Sequence, residues 1–140
     1  MSKCIFCEIA AGRGRASFVY QDQDVAAFMD IQPVNPGHVL VIPCRHAASL
    51  AELQPGEAEK LLPAAQRVAA ALRRSGLPCE GVNLFLADGE AAGQDVFHVH
   101  LHVFPRWPGD GFGLRLGPHY HTLPPRAELD EIAARLRQNL

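Results

Sequence analysis

At 140 residues and 15.2 kDa the chain is sized for one domain, and its 48% hydrophobic content is enough to build a core. Thirteen basic residues against fifteen acidic ones give a formal net charge of −2 with no basic arm, which removes the usual electrostatic driver of nucleic-acid binding. Apolar runs stop at about five residues, far short of the roughly twenty of a membrane span, and no apolar leader follows Lys3; a cytoplasmic protein is expected.

In chain order, Cys4 and Cys7 come first, as a C-x-x-C. Cys44 and Cys79 stand alone, and with no leader the four cysteines read as reduced thiols rather than a disulfide frame. Two short apolar runs, Val25 to Met29 and His38 to Ile42, are bounded by Asp, Pro and Gly as strands are. Leu61, Leu62, Ala65, Val68, Ala69 and Leu72 fall at three- and four-residue steps, which places them on one helix face. Arg73, Arg74 and then Gly76 suit its C-terminal end, and Pro63 is expected to kink it. Further strands are expected at Val82 to Leu86 and Val96 to Phe104, and a last helix from near Pro125 with Leu129, Ile132 and Leu136 on one side. Strands around one long helix, without regular alternation, predict an α+β fold with an antiparallel sheet.

The chemistry lies in the Val96 to Phe104 run. Read with a period of two, His98, His100 and His102 face one side, while Phe97, Val99, Leu101 and Val103 face a core on the other. A ladder of imidazoles about 6.5–7 Å apart suits a metal, or one nucleophilic ring flanked by donors to an anion. Just upstream, Ala87 to Gln94 is a small Gly-containing loop whose N–H groups suit an anion-binding concavity.

Gly93-Gln-Asp-Val-Phe-His-Val-His-Leu-His-Val103 resembles the signature of the histidine triad (HIT) family of nucleotide hydrolases and transferases. Asp30 to Pro43, Cys4 to Ile9, Pro105-Arg106 and Gly109-Asp110 resemble further family segments. The likeness covers residues 3 to 112, with 113–140 as an extension of a single domain spanning 1–140. It implies a roughly five-stranded antiparallel sheet with one long helix, a short N-terminal helix and a C-terminal helix, assembled as a homodimer.

The same resemblance implies the roles of individual residues. His100 is the nucleophile toward the α-phosphorus, its other ring nitrogen held by a carbonyl near His98. His102 donates to the phosphate and the leaving group. Gly93, Gln94 and Asp95 cradle the phosphate through their backbone. Asp30 takes the ribose hydroxyls, and Phe6, Ile9, Phe28 and Ile31 sandwich a purine base. A microbial branch of the family implies one structural zinc on Cys4, Cys7, His46 and His98, with no metal needed for the triad chemistry.

Two positions depart from the pattern. Ala87 stands where relatives carry an amide that handles the leaving group. Asp95 stands where they carry Ser or Thr, and its carboxylate is expected to turn away from the phosphate. His38 reads as structural, the loop with His119 and His121 as surface, and Gly12-Arg-Gly-Arg15 as a solvated turn. The expected function is cleavage of nucleoside phosphoramidates or dinucleoside polyphosphates through a nucleotidyl-histidine. The alternative is a purine-nucleotide-binding regulator with little turnover.

Overall fold

The computed structural model describes residues 3–140, which divide into two compact units, the first ending at Asp110 and the second spanning Gly111–Leu140. In the first unit, strands β1 (Phe18–Gln21), β2 (Val25–Met29), β3 (Val39–Pro43), β4 (Gly81–Leu86) and β5 (Leu101–Arg106) form one antiparallel sheet in the order β1-β2-β3-β5-β4. Helix α1 (Ile5–Ala10) and the long α2 (Pro55–Arg74) complete it. The second unit carries α3 (Arg126–Arg137), in which Leu129, Ile132 and Leu136 all remain exposed. Among the described residues no helix is long and apolar enough to cross a membrane.

β2 and β3 are buried on both faces, which is why they read as unbroken apolar runs. Val25, Ala27, Val39 and Val41 pack with Leu61, Ala65, Val68 and Leu72 of α2. The alternate residues Ala26, Phe28, Leu40 and Ile42 pack with Phe6 and Ile9 of α1. The two helices therefore cover opposite faces of the sheet. α2 starts two turns before its first buried leucine, where the Glu57 carboxylate accepts the Gln54 N–H at 2.8 Å and Pro55 takes the first helical position. Leu62, assigned above to the apolar face, is 62% exposed. α2 runs through Pro63 as one element, and this residue lies on the solvent side, where the carbonyl freed one turn back is not sealed in the core.

The long strand expected at Val96 to Phe104 is corrected. β5 begins only at Leu101, where it pairs with both Val41 and Leu86. The five residues before it run outside the sheet: the His98 N–H bonds Val96 O, and the Val99 N–H bonds Ala47 O. Alternation persists for Val99 and Val103, both in the α2-side core, but Phe97 is 52% exposed rather than packed. Nor is the imidazole face an open polar surface. His98 and His100 are buried beneath α1, with the Phe6 ring edge-on to both at centroid distances of 6.0 and 5.2 Å.

Candidate functional site

His98 is fully buried, and its Nε2 donates to the Pro43 carbonyl at 2.8 Å. A carbonyl only accepts, so the neutral ring carries its proton there and presents a bare Nδ1 on the other side. That nitrogen lies 3.4 Å from Cys4 Sγ and 3.5 Å from Cys7 Sγ, and Cys7 Sγ lies 3.3 Å from His46 Nδ1. All four donor atoms fall within 4.8 Å of one another. A tetrahedral zinc with ordinary Zn–S and Zn–N bonds has ligand–ligand edges of about 3.3–3.8 Å, so the set fits a closed Cys₂His₂ centre. The cysteines come together because Cys4 and Cys7 are one turn apart at the start of α1. Arg45 holds the His46 loop, bonding His46 O and Glu52 O and pairing with Glu57, whose carboxyl it draws down to about 2. Burial and the adjacent Cys4 push the Cys7 thiol up to about 11. A thiol held up this way, like that of Cys7, ionises readily only against a cation.

The chain of hydrogen bonds continues into the triad. The His100 Nδ1–H donates to the His98 carbonyl at 2.8 Å, as the family resemblance implied. The neutral His100 ring therefore keeps the lone pair of Nε2 free on the cavity side. His102 is set oppositely. The Val34 N–H donates to His38 Nδ1 at 3.0 Å, which places the proton of neutral His38 on Nε2. That N–H points at His102 Nδ1, 2.8 Å away, so His102 accepts there and carries its own proton on Nε2. One ring offers a bare nitrogen and its neighbour an N–H. His38, read above as structural, thus acts on the site by fixing the tautomer of His102. The grouping of Asp30, His38 and His102 resembles a metal-ligand set in spacing, but the protonated His38 Nε2 is the wrong tautomer for a ligand.

Burial, with help from the neighbouring His100 and His38 rings, holds the His102 imidazole down to about 4, against weaker opposing pulls from Asp30 and Asp95. Burial lowers His38 likewise. His102 thus binds a proton more readily in the unfolded chain, where its value is about 6.5. Its contribution to stability is complete above pH 6.5 and is lost as pH falls toward 4. Chemical denaturation with zinc present should show a loss of about 2 kcal/mol between pH 7 and pH 5 that is absent from His102→Asn. Parallel pH profiles for the two proteins would contradict this assignment.

A cavity of about 370 Å³ brings together Phe6, Ile9, Phe28, Asp30, Ile31, Asp95, His100 and His102, a size within the roughly 300–1,000 Å³ of small-molecule sites. Phe6 and Phe28 meet edge to face at 5.5 Å and form an apolar wall. Ile31 is 94% exposed and stands at the rim. One Asp30 oxygen caps the turn through the Gln32 N–H at 2.8 Å, and the other lies 3.5 Å from His38 Nε2. Arg15, assigned above to a solvated turn, lines the same cavity.

Gly93 and Gln94 are not among the lining residues. Their N–H groups donate within the turn, to Glu90 O and Gly89 O. Gln94 is buried, with its side chain bonded to Gly89, Ala48 and Val96, and it shapes the loop. The Asp95 carboxylate does not turn away as expected. Its Oδ1 accepts the Val96 N–H at 2.9 Å and lies 3.7 Å from His100 Nε2. His119 and His121 are exposed in the second unit.

Residues 12–109 match the HIT domain family. The Bacillus subtilis protein named hit is 39% identical over 138 residues, covering 98% of this chain and 94% of its own length. A crystal structure of a HIT family protein from Bacillus anthracis superposes with a TM-score of 0.89 at 36% identity, covering 99% of this chain and 98% of that one. A zinc-bound histidine triad family protein from Mycobacterium smegmatis gives 0.76 at 37% identity, with 99% and 98% covered. A histidine triad nucleotide-binding protein from Candida albicans gives 0.86 at 28% identity, with 98% and 96% covered.

Proposed function

Because the chain belongs to the HIT domain family, we propose that it is a hydrolase or nucleotidyl transferase that opens a purine nucleotide at its α-phosphorus through a covalent bond to His100. The observation that carries this reading is the bare Nε2 of His100, kept free by the bond from its Nδ1 to His98 O and facing the cavity beside a proton-bearing His102. An apolar end between Phe6, Ile9 and Phe28, with Ile31 at the rim, receives the base. Asp30 takes the ribose diol, since a carboxylate offers two acceptors to two hydroxyls. The phosphate meets the Asp95 backbone N–H, which finds no acceptor among the described residues, with Gly93 and Gln94 shaping the turn that presents it.

In the first step the His100 Nε2 lone pair forms a bond to phosphorus while the bond to the leaving group breaks. The neutral His102 donates its Nε2–H as a hydrogen bond to the charge that develops on the phosphoryl oxygens, and the departing atom takes its proton from water. In the second step water attacks phosphorus, the N–P bond breaks with its electron pair returning to Nε2, and the proton released by water passes to solvent. The substrates are nucleoside phosphoramidates or dinucleoside polyphosphates. The donors act on charge that develops during transfer, where they stabilise most.

One zinc on Cys4, Cys7, His46 and His98 is structural in this reading: it holds α1 on the sheet and fixes the His98 carbonyl that orients His100. The Mycobacterium smegmatis relative, itself zinc-bound, supports that part. Two chains pair through the exposed edge strand β4, where Leu84 and Phe85 are uncovered; the apolar stripe of α2 is used within its own core. Ala87, which removes an amide from the leaving-group end, favours a second reading in which a nucleotide is held with little turnover. Turnover of an adenosine phosphoramidate, dependent on His100, decides between the two.

A further inference from the structure

The phosphoryl end of the cavity is unusual in its charge. Its ionisable lining consists of Arg15, Asp30, Asp95, His100 and His102. Burial keeps His102 neutral at pH 7, so the fixed cation among these is Arg15, set against two carboxylates. Arg15 follows Gly14, whose backbone packs directly against Ile9. Asp95 is at the triad itself. Its Oδ1 sits 3.7 Å from the attacking nitrogen and holds the Val96 N–H. An attacked phosphorus must come within roughly 3–3.5 Å of that same nitrogen. A phosphoryl group therefore enters space bordered by a carboxylate.

We propose that Asp95 is a charge filter. It favours nucleotides whose α-phosphoryl group bears a single negative charge and an amine leaving group, and it disfavours polyphosphate chains and the dianionic monophosphate left after hydrolysis. The inference rests on the nucleotide reading of the preceding subsection, and it selects phosphoramidates from the two substrate classes named there. The charge arithmetic is direct. A phosphoramidate diester is a monoanion, whereas a phosphate monoester, with a second pKa of about 6, is mostly a dianion at pH 7.5. Repulsion from one carboxylate scales with ligand charge, so the factor by which a dianion is weakened is about the square of that for a monoanion. Substrate is retained and product is expelled by the same side chain. Because the Asp95 side chain is 85% exposed, it can swing outward, and it weakens anion binding without blocking it.

The test is a charge series measured by calorimetry at pH 7.5 and low salt. The ligands are adenosine (neutral), adenosine 5′-methylphosphate (monoanion) and adenosine 5′-monophosphate (dianion), each against wild type, Asp95→Asn and Asp95→Ser. Both variants should bind adenosine as wild type does, the monoanion about threefold more tightly and the dianion about tenfold more tightly. Equal changes for all three ligands, or no change for the dianion, would overturn the charge filter and leave the nucleotide reading standing. Wild type binding none of the three would overturn both.

Discussion

His100→Asn is expected to lower turnover of a nucleoside phosphoramidate by at least about three orders of magnitude while nucleoside monophosphate binding stays within a few fold. Asparagine keeps a polar group near the His98 carbonyl but has no lone pair of comparable nucleophilicity to place at phosphorus. The base wall, Asp30 and the loop that meets the phosphate are supplied by other residues, which the substitution leaves in place, so affinity survives. His102→Asn should cost less, about two to three orders of magnitude, because it removes one donor and leaves the nucleophile intact. Steady-state kinetics paired with calorimetry check both. Equal loss of binding and turnover in His100→Asn would mean that the ring holds the ligand rather than attacking it.

The second large effect is on metal and stability together. Protein purified without chelator should contain one zinc per chain, and Cys4→Ser should lose it along with several kcal/mol of stability, since structural zinc contributes roughly 10–16 kcal/mol in small domains. The loss should spread to activity by a defined route. His98 gives its Nδ1 to the metal set and its carbonyl to His100, so releasing its ring loosens the bond that orients the nucleophile. Removing one thiolate also leaves Cys7 and the fully buried His98 without their common partner. Metal analysis and denaturant titration of the same samples read this. Metal-free wild type as stable as the metal-loaded protein would contradict it.

What the sequence reveals about this molecule follows the range of the forces involved. β2 is legible to the residue because Val25 to Met29 is buried on both faces, leaving no polar position to blur its limits. β1 is not, since Phe18 to Gln21 is a short, largely exposed edge strand fixed by the turn in which Asp22 caps Asp24 and Val25. The start of α2 escapes a reading based on apolar spacing, because polar capping by Gln54 and Glu57 sets it. The period of two in His98 to His102 correctly separates the histidines from Val99 and Val103, but overstates the strand. Alternate burial needs no ladder: Val99 and Val103 keep the core side although residues 96–98 bend and residues 96–100 have no ladder partner.

At the site, local motifs carried the reading and long-range contacts limited it. The C-x-x-C is visible as a pair, and His46 and His98 join it through matches to a family pattern rather than through spacing. The part played by His38 depends on the Val34 N–H and on the approach of β3 to β5, and neither leaves a mark in the order of residues. Asp95 was expected to avoid a phosphate on charge grounds alone. The local bond to the Val96 N–H keeps its carboxylate at the triad instead.

The central claim, a covalent bond between His100 and phosphorus, is tested most directly by the stereochemical course at that atom. A nucleoside phosphorothioamidate of known configuration, hydrolysed in isotopically labelled water, reports whether phosphorus was displaced once or twice. Two in-line displacements, the first by His100 and the second by water, predict net retention. Net inversion would mean that water attacks the substrate directly, and the nucleotidyl-histidine would be ruled out.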